Sequence, residues 1–238
     1  MYADYKILAV VPARGGSKGV PLKNIQPIQG VPLVARVGHL MSDVPEIDRA
    51  VVSTDHDEIA RIAEEAGLAA DWRRPSTLSG DRIGDLDVLM HALNETEQRD
   101  GLRYDIVLML QPTSPMRTAA HVRDTYRKLV DEGRDAVWTV SETDSKYHPR
   151  KQLTLADDRL GYYSQDGGRI IARQQLDALY HRNGAAYAFT RACLLEQRDI
   201  MGANTAGLIT ESMVSIDTPF DFRLVEFLLA DQQGSAES

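Results

Sequence analysis

Three short apolar runs, separated by segments with helical periodicity, constrain the fold of this chain most strongly. The runs are Lys6–Pro12 (KILAVVP), Val51–Ser53 and Ile106–Leu110 (IVLML). A continuous apolar run of this length is typical of a strand that is covered on both faces, as in a parallel sheet. The alternation of strands and helices therefore predicts an α/β fold in three layers, with a mostly parallel central sheet.

Apolar residues at helical spacing predict the helices of this fold. The predicted segments are Ile59–Ala66, which is followed by Gly67, Asp85–Glu97, and a third helix that Thr118 caps and Gly133 ends. Further strands are predicted at Ala185–Phe189 and in a segment ending near Ile216. A last helix should begin at Thr218 and Pro219 and bury four residues, Phe220, Leu224, Phe227 and Leu228.

The alternation stops between residues 141 and 183. This segment contains short alternating fragments, Gln152–Leu155 and Leu160–Tyr163, and a Gly167-Gly168 turn. Such fragments are typical of hairpins and not of a further strand–helix unit. We therefore expect residues 1–140 and 184–238 to form the main α/β domain, and residues 141–183 to form a small hairpin-rich insertion.

Composition excludes several classes of protein. The chain has 238 residues, a formal net charge of −8 and an isoelectric point near 5.3, which argues against a nucleic-acid partner. The single cysteine, Cys193, excludes an intramolecular disulfide. No apolar run reaches the roughly 18 residues of a membrane span. We expect a cytoplasmic protein without a membrane or nucleic-acid partner, in which any anion site is local.

Positive charge is concentrated in one glycine-containing loop, within VVPARGGSKGVPLKN at residues 10–24. Arg14, Lys18 and Lys23 lie there around two adjacent glycines, directly after the first predicted strand. In such a loop successive backbone N–H groups can turn toward an anion, and the cationic side chains neutralise it. The loop therefore favours phosphate binding, with Ser17 as a hydrogen-bond donor.

The same loop matches the G-x-S-x-G pattern of a serine hydrolase, which makes Ser17 a candidate nucleophile. A nucleophile elbow requires a helix directly after the serine. Here prolines at positions 21, 27 and 32 keep the chain irregular until about Val34. Serine hydrolysis therefore stays a remote alternative.

The loop resembles the N-terminal signature of the acylneuraminate cytidylyltransferase family, which makes CMP-sialic acid and related CMP-nonulosonates. Seven further motifs follow in the family's order: STDHDEIA at 53–60, RRPSTLSGD at 73–81, LQPTSPMR at 110–117, YHPRK at 147–151, RQQL at 173–176, NGAAY at 183–187 and IDTPFDF at 216–222. The resemblance implies a Rossmann-like nucleotide-diphospho-sugar transferase fold, with an insertion that mediates a homodimer. The implied reaction joins CTP to a nine-carbon 2-keto acid sugar (sialic, legionaminic or pseudaminic acid) and releases pyrophosphate.

Residues for the nucleotide follow from this resemblance by position. They are Arg14, Ser17, Lys18, Lys23, Asn24, Arg74 and Ser79. Negative charge grows on the α-phosphate and on the departing pyrophosphate in the transition state, so cationic stabilisation dominates catalysis. Arg14 and Lys23 are therefore assigned the largest catalytic share.

Residues for the acidic sugar are implied in the same way. Gln111 ends a predicted strand at the edge where open α/β sheets bind ligands, and the family's glutamine faces the sugar. We class Gln111 as a catalytic residue that positions the substrate. The other implied contacts are Lys151, Arg173, Asn183 and Tyr187, for which surface charge or core packing are the alternatives. Asp55 could cap a helix or belong to the site, and His148 is predicted to be a surface turn residue.

The implied metal is Mg²⁺, and the sequence departs from the family at its site. Where the family commonly has D-x-D-T, this chain has Ser215-Ile216-Asp217-Thr218. Asp217 keeps one ligand position, which can suffice because Mg²⁺ retains waters and binds phosphates. Asp221 is predicted to be a helix cap. Alternatives remain: another acidic sugar or a phosphonate, another nucleotide, or a degenerate nucleotide-binding protein with weak catalysis.

Overall fold

A computed structural model describes residues 1–236. The strands in this range are β1 (Ile7–Pro12), β2 (Pro27–Ile28), β3 (Val31–Pro32), β4 (Arg49–Ser53), β5 (Ile106–Met109), β6 (Ala136–Glu142), β7 (Leu153–Ala156), β8 (Arg159–Tyr162), β9 (Tyr180–Thr190) and β10 (Thr205–Thr210). The α-helices are α1 (Leu33–Met41), α2 (Asp57–Glu65), α3 (Asp85–Asp100), α4 (Ala119–Asp131), α5 (Arg191–Leu195) and α6 (Pro219–Ala236). Within this range, no helix is both long enough and apolar enough to cross a membrane.

Six of the strands form the central sheet, in the order β10-β6-β9-β5-β1-β4. β1 runs parallel to β4 and β5, and β10 runs parallel to β6. β9 is antiparallel to both of its neighbours, β5 and β6. The predicted mostly parallel sheet is therefore confirmed, with β9 as the reversed strand.

The continuous apolar character of β1 arises because helices cover both faces of the sheet. Ile7, Ala9 and Val11 contribute to a core with α1, α2 and α4. Leu8 and Val10 contribute to a second core with α3 and α5 on the opposite face. These two cores confirm the three-layer α/β fold.

The prediction for the chain after β9 is partly wrong. The strand expected to end near Ile216 is instead β10, and residues 211–217 have no regular structure. Ile216 is nevertheless buried, because its side chain packs with Ile28, Leu33 and Val225 and its N–H donates to the Thr113 carbonyl oxygen at 2.8 Å. An isolated apolar residue in an irregular segment therefore gave a false strand signal.

The predicted buried stripe of the last helix is also partly wrong, since only Leu224 and Leu228 of its four residues are half-buried. Phe220 and Phe227 are 60% and 66% exposed, whereas Val225 is buried with Phe222 and Leu229 packed near it. Apolar residues occur on both sides of α6, so their spacing alone does not select the inward face.

The insertion contains the predicted hairpin. β7 pairs antiparallel with β8 in a separate two-stranded sheet, and every residue of both strands is exposed. β9 begins at Tyr180, and residues 180–182 pair with β6 in the central sheet. The hairpin-rich part of the insertion therefore ends before residue 180.

Candidate active site

A cavity of about 650 Å³ lies at the carboxyl ends of β1 and β5. Predicted site residues that line it are Arg14, Ser17, Lys18, Lys23, Asn24, Arg74, Gln111 and Asp217, together with Ser215. The carboxyl edge of a parallel sheet is where α/β proteins bind ligands, because the loops diverge there. The structure thus brings together segments that are up to about two hundred residues apart in the chain.

Two polar side chains, the buried Asn24 and the exposed Asp55, hold the backbone of the glycine-containing loop after β1. The Asn24 side chain is 5% exposed, and its Nδ2 donates to the Arg14 carbonyl oxygen at 3.0 Å. The Gly15 N–H donates to Asp55 Oδ1 at 2.9 Å, and a Cβ at Gly15 would lie 2.9 Å from the His56 ring. Asp55 therefore fixes the loop backbone, while His56, not Asp55, caps α2.

Lys23 connects this loop to the segment before α6. Its Nζ donates to the Ile216 carbonyl oxygen at 2.7 Å and to Asp217 Oδ1 at 2.9 Å, and its side chain is 15% exposed. Gly19 packs directly on Asp217, because a Cβ at Gly19 would overlap the Asp217 carbonyl oxygen. The ammonium group of Lys23 is thus held in one place at the cavity wall.

Asp81 pairs with two of the loop's cations across the cavity. Its carboxylate accepts a hydrogen bond from Arg14 Nη1 at 2.7 Å and forms an ion pair with Lys18 Nζ. The hydrogen bonds from Lys18 and Arg14 lower the pKa of Asp81 below its usual range. The motif RRPSTLSGD contains this acid, but its partners are 63 and 67 residues away, so sequence reasoning did not identify the contact.

Arg74 places a guanidinium with unpartnered N–H groups at the cavity wall. The residue is 5% exposed, and its Nε and Nη2 atoms have no hydrogen-bond partner among the described residues. Burial lowers the pKa of Arg74, which the nearby Asp55 partly opposes. Because buried donors are costly when unsatisfied, this side chain is suited to an anion or a carbonyl group that enters the cavity.

The carboxylate expected to bind Mg²⁺ lies at the mouth of the cavity. Asp217 has a 76% exposed side chain, and Ser215 lines the same cavity. Asp221 instead accepts hydrogen bonds from the N–H groups of Asp217 and Thr218, at 2.9 and 2.7 Å, which confirms its capping role. The described residues contain no group of three or more His, Cys, Asp or Glu that could hold a metal. Asp217 therefore fits a Mg²⁺ site only if substrate phosphates complete it.

Five predicted site residues lie outside this cavity, and three of them are Ser79, Lys151 and Arg173. Ser79 does not line it, and its hydroxyl donates to the Pro75 carbonyl oxygen at 3.0 Å. Arg173 lines a second cavity of about 520 Å³, and the exposed Lys151 lines neither one. The roles assigned to these residues stay predictions.

His148 is buried, which corrects the prediction of a surface residue. It is 6% exposed and borders the second cavity. Its Nδ1 accepts a hydrogen bond from the Arg150 N–H at 3.2 Å and so caps the short 3₁₀ turn at residues 149–151. The side chain is held inward by this cap.

Asn183 and Tyr187 are buried beside the cavity and do not line it. The Asn183 side chain bonds to Thr139 and Ser141, and the Tyr187 hydroxyl accepts the Gly184 N–H at 2.7 Å. Both side chains therefore have polar partners inside the protein, and their role as sugar contacts stays a prediction.

The geometry of a serine hydrolase is not formed around Ser17. The Ser17 N–H donates to the Gly15 carbonyl oxygen, and the first α-helix after it begins at Leu33. His181, the last histidine of the chain, has Nδ1 at 3.0 Å from the Thr143 hydroxyl in the insertion region. Ser17 is thus one polar group in a cationic cavity.

Four cationic side chains around one cavity, at the carboxyl edge of a mostly parallel sheet, define an α/β protein whose cavity is suited to a phosphorylated ligand. The sequence model of the family described as cytidylyltransferase matches residues 8–222. The chain therefore belongs to the cytidylyltransferase family, which confirms the resemblance drawn from the motifs.

Named relatives match almost the whole chain. CMP-N,N'-diacetyllegionaminic acid synthase of Legionella pneumophila is 31% identical over 94% of this chain and 96% of its own length. Post-translational flagellin modification protein B of Campylobacter coli is 27% identical over 98% of both chains. N-acylneuraminate cytidylyltransferase of Oncorhynchus mykiss is 30% identical over 92% of this chain and 49% of its own length.

A solved structure has the same fold. It is CMP:2-keto-3-deoxy-manno-octonic acid synthetase complexed with CTP, which superposes with a TM-score of 0.70 at 19% identity. The match covers 95% of this chain and 99% of the other.

Proposed function

We propose that this protein transfers CMP from CTP to a nine-carbon 2-keto acid sugar of the sialic, legionaminic or pseudaminic acid type, and releases pyrophosphate. The observation that carries the proposal is the unpartnered, buried guanidinium of Arg74 in a cavity shared with Arg14, Lys18 and Lys23. Four cations suit a triphosphate, and the names of the relatives supply the class of sugar.

The cationic residues act on the phosphates in this proposal. The anomeric hydroxyl oxygen attacks the α-phosphorus of CTP. The bond between the α-phosphorus and the oxygen that bridges to the β-phosphate breaks, and pyrophosphate departs with both electrons of that bond. Lys23, held by Ile216 and Asp217, and Arg14 stabilise the charge that grows on these groups. The described residues that line the cavity include no histidine, and we expect the hydroxyl proton to leave to water.

We propose Asp217 as the protein ligand of Mg²⁺, with phosphate oxygens and waters completing the coordination. Bound Mg²⁺ would neutralise charge on the phosphates. Ser215 lines the same cavity and offers a hydroxyl in place of a second carboxylate. Asp217 accepts the Lys23 hydrogen bond through Oδ1, and its second carboxylate oxygen would bind the metal when nucleotide enters.

We also propose that two copies of the chain form a homodimer through the insertion. Leu155, Leu160 and Tyr162 on the hairpin are 68%, 70% and 58% exposed, and Ile171 is 93% exposed. An isolated two-stranded hairpin is marginally stable in water, and an apolar patch of this kind favours a protein partner. Arg173 would then reach the cavity of the second copy, which is consistent with its position outside its own cavity.

The cytoplasm is the proposed location, because a nucleoside triphosphate substrate is available there.

A pyrophosphate-release assay tests the proposed reaction. The purified protein is incubated with Mg²⁺, each of CTP, GTP, ATP and UTP, and each of sialic, legionaminic and pseudaminic acid. We expect release with CTP and at least one of the sugars, and none when the sugar is omitted. Tight CTP binding without release from any pair would instead support a degenerate nucleotide-binding protein. Release with another nucleotide would correct the specificity and keep the class of reaction.

A further inference from the structure

The side chain of Gln111 lies against Gly184, at an irregularity of β9 where its register with β6 shifts (the β9 turn). Gly184 has a φ of +75°, a conformation that L-residues with side chains rarely adopt. A Cβ at this position would lie 2.7 Å from Gln111 Oε1 and would overlap the Ser114 hydroxyl. The Gln111 amide therefore occupies the space that a larger residue at position 184 would take.

Arg117, the last residue of LQPTSPMR, joins the end of β5 to the same turn. Its guanidinium donates to the carbonyl oxygens of Gln111 at 2.5 Å and Gly184 at 3.0 Å, and to that of Ala185. The residue is 8% exposed, and no carboxylate of the described residues lies within ion-pair distance. Burial lowers the pKa of Arg117 to about 9, so it stays cationic at neutral pH.

A buried cation that is paired only with carbonyl groups loses most of its hydration, which costs free energy of folding. A gain in stability alone therefore does not explain the buried guanidinium. A planar guanidinium can nevertheless fix several carbonyl groups at once, which a point charge cannot. In this protein two of the three carbonyl groups belong to β9, and the third belongs to Gln111, two residues after the end of the neighbouring strand β5. The arrangement thus sets the position of the β5 end relative to the β9 turn.

The polar side chains of the NGAAY motif complete the support of this turn. The Asn183 carbonyl oxygen accepts the Ser114 hydroxyl at 2.8 Å, and its side-chain Nδ2 donates to the hydroxyls of Ser141 and Thr210 at 3.0 and 2.7 Å. The Tyr187 hydroxyl accepts the Gly184 N–H. These bonds tie the turn to β6 and β10, and they give Asn183 and Tyr187 polar partners within the protein.

We propose that Arg117 and Gly184 are positioning residues for the Gln111 amide, and that Asn183 and Tyr187 act through this turn instead of contacting the sugar. The inference rests on the proposed function, in which Gln111 faces the sugar. An amide held in one orientation presents its donor and its acceptor at fixed places, and it therefore discriminates between hydroxyl patterns on the substrate.

A double-mutant cycle between Tyr187→Phe and Gln111→Ala tests the proposal. The phenylalanine keeps the ring and removes only the acceptor of the Gly184 N–H. We expect Tyr187→Phe to lower kcat/KM for the sugar by about three- to tenfold in the wild-type background and by less than about twofold in the Gln111→Ala background. The dissociation constant for CTP should change by less than about twofold in every variant. An equal loss in both backgrounds would mean that Tyr187 contacts the sugar independently, which would overturn the proposal.

Crystal structures of the wild-type and Gly184→Ala proteins test the positioning without turnover. We expect the Gln111 amide to be displaced by about 1 Å or more in the variant, because the added Cβ takes its place. An undisplaced amide overturns the inference, whatever the enzyme transfers. If Gly184→Ala does not fold, the same comparison is made with Arg117→Lys, which keeps the charge but cannot reach all three carbonyl groups. A wild-type protein that releases no pyrophosphate with any substrate pair would instead count against the proposed function.

Discussion

Replacing Lys23 by methionine should reduce turnover much more than the same change at Lys18. Both lysines lie in the loop after β1 and line the same cavity. The Lys23 side chain is 15% exposed and its ammonium is fixed by Ile216 and Asp217, whereas the Lys18 side chain is 79% exposed. Lys18→Met therefore removes the same charge from the same loop at a solvated position, which makes it a matched control.

The expected magnitude follows from the surroundings of the two charges. At a separation of 4 Å, a pair of unit charges gains about 4 kcal/mol at an effective dielectric constant of about 20, but only about 1 kcal/mol in water. A fixed cation that stabilises transition-state charge contributes about 10²–10³ in kcat. We therefore expect Lys23→Met to lower kcat by about 10²–10³-fold, and Lys18→Met by less than about tenfold.

Steady-state pyrophosphate release with saturating CTP and sugar measures this difference, and the unfolding temperature of each variant shows whether the fold is intact. The wild-type protein and both variants are compared at one Mg²⁺ concentration. Equal losses in the two variants, or near-normal turnover of Lys23→Met, would refute the argument that burial and fixation make Lys23 the dominant cation.

Three further predictions concern the metal, the hairpin and the thiol. Ser215→Asp should lower the Mg²⁺ concentration for half-maximal activity by about fivefold or more, since it adds a carboxylate beside Asp217; an unchanged Mg²⁺ titration would show that position 215 is not a ligand position. If the chain forms the homodimer proposed above, Leu155→Asp should convert it to monomers in light scattering, whereas Asp157→Asn in the adjoining turn should not. A Leu155→Asp variant that stays dimeric would place the interface elsewhere. Burial raises the pKa of the Cys193 thiol to about 11, so the reactive thiolate is scarce at pH 8. Iodoacetamide should therefore label the native protein at least about 100-fold more slowly than the denatured protein. Equal labelling rates would contradict the burial of Cys193.

The sequence was informative where a local pattern determines the structure. The apolar side chains of a strand such as Ile7–Pro12 point to both faces of the sheet, so both faces must be covered by other layers. The three-layer arrangement could therefore be predicted from this run. The glycines and cations of the loop are close together in the chain, and the structure places Arg14, Lys18 and Lys23 around one cavity. Local spacing was therefore enough to predict an anion site.

Long-range contacts could not be predicted from the sequence in the same way. Arg117 has an ordinary charged side chain in the sequence, yet its acceptors Gly184 and Ala185 are 67 and 68 residues away in the chain. The inward face of α6 depends on what packs against it, because both of its faces carry apolar residues. Such features depend on tertiary packing, which outweighs local preference.

The carboxylate of Asp81 gives the cavity an internal counter-charge before any ligand arrives. Arg14 and Lys18 are already paired with Asp81, so they are not unpaired positive charges. An incoming polyanion must therefore replace the carboxylate of Asp81 as their partner. The free energy of binding the polyanion is reduced by the cost of breaking the ion pairs of Arg14 and Lys18 with Asp81. The pairs also fix Arg14 and Lys18 relative to Asp81, and we expect an anion that cannot displace Asp81 to bind more weakly than a polyphosphate.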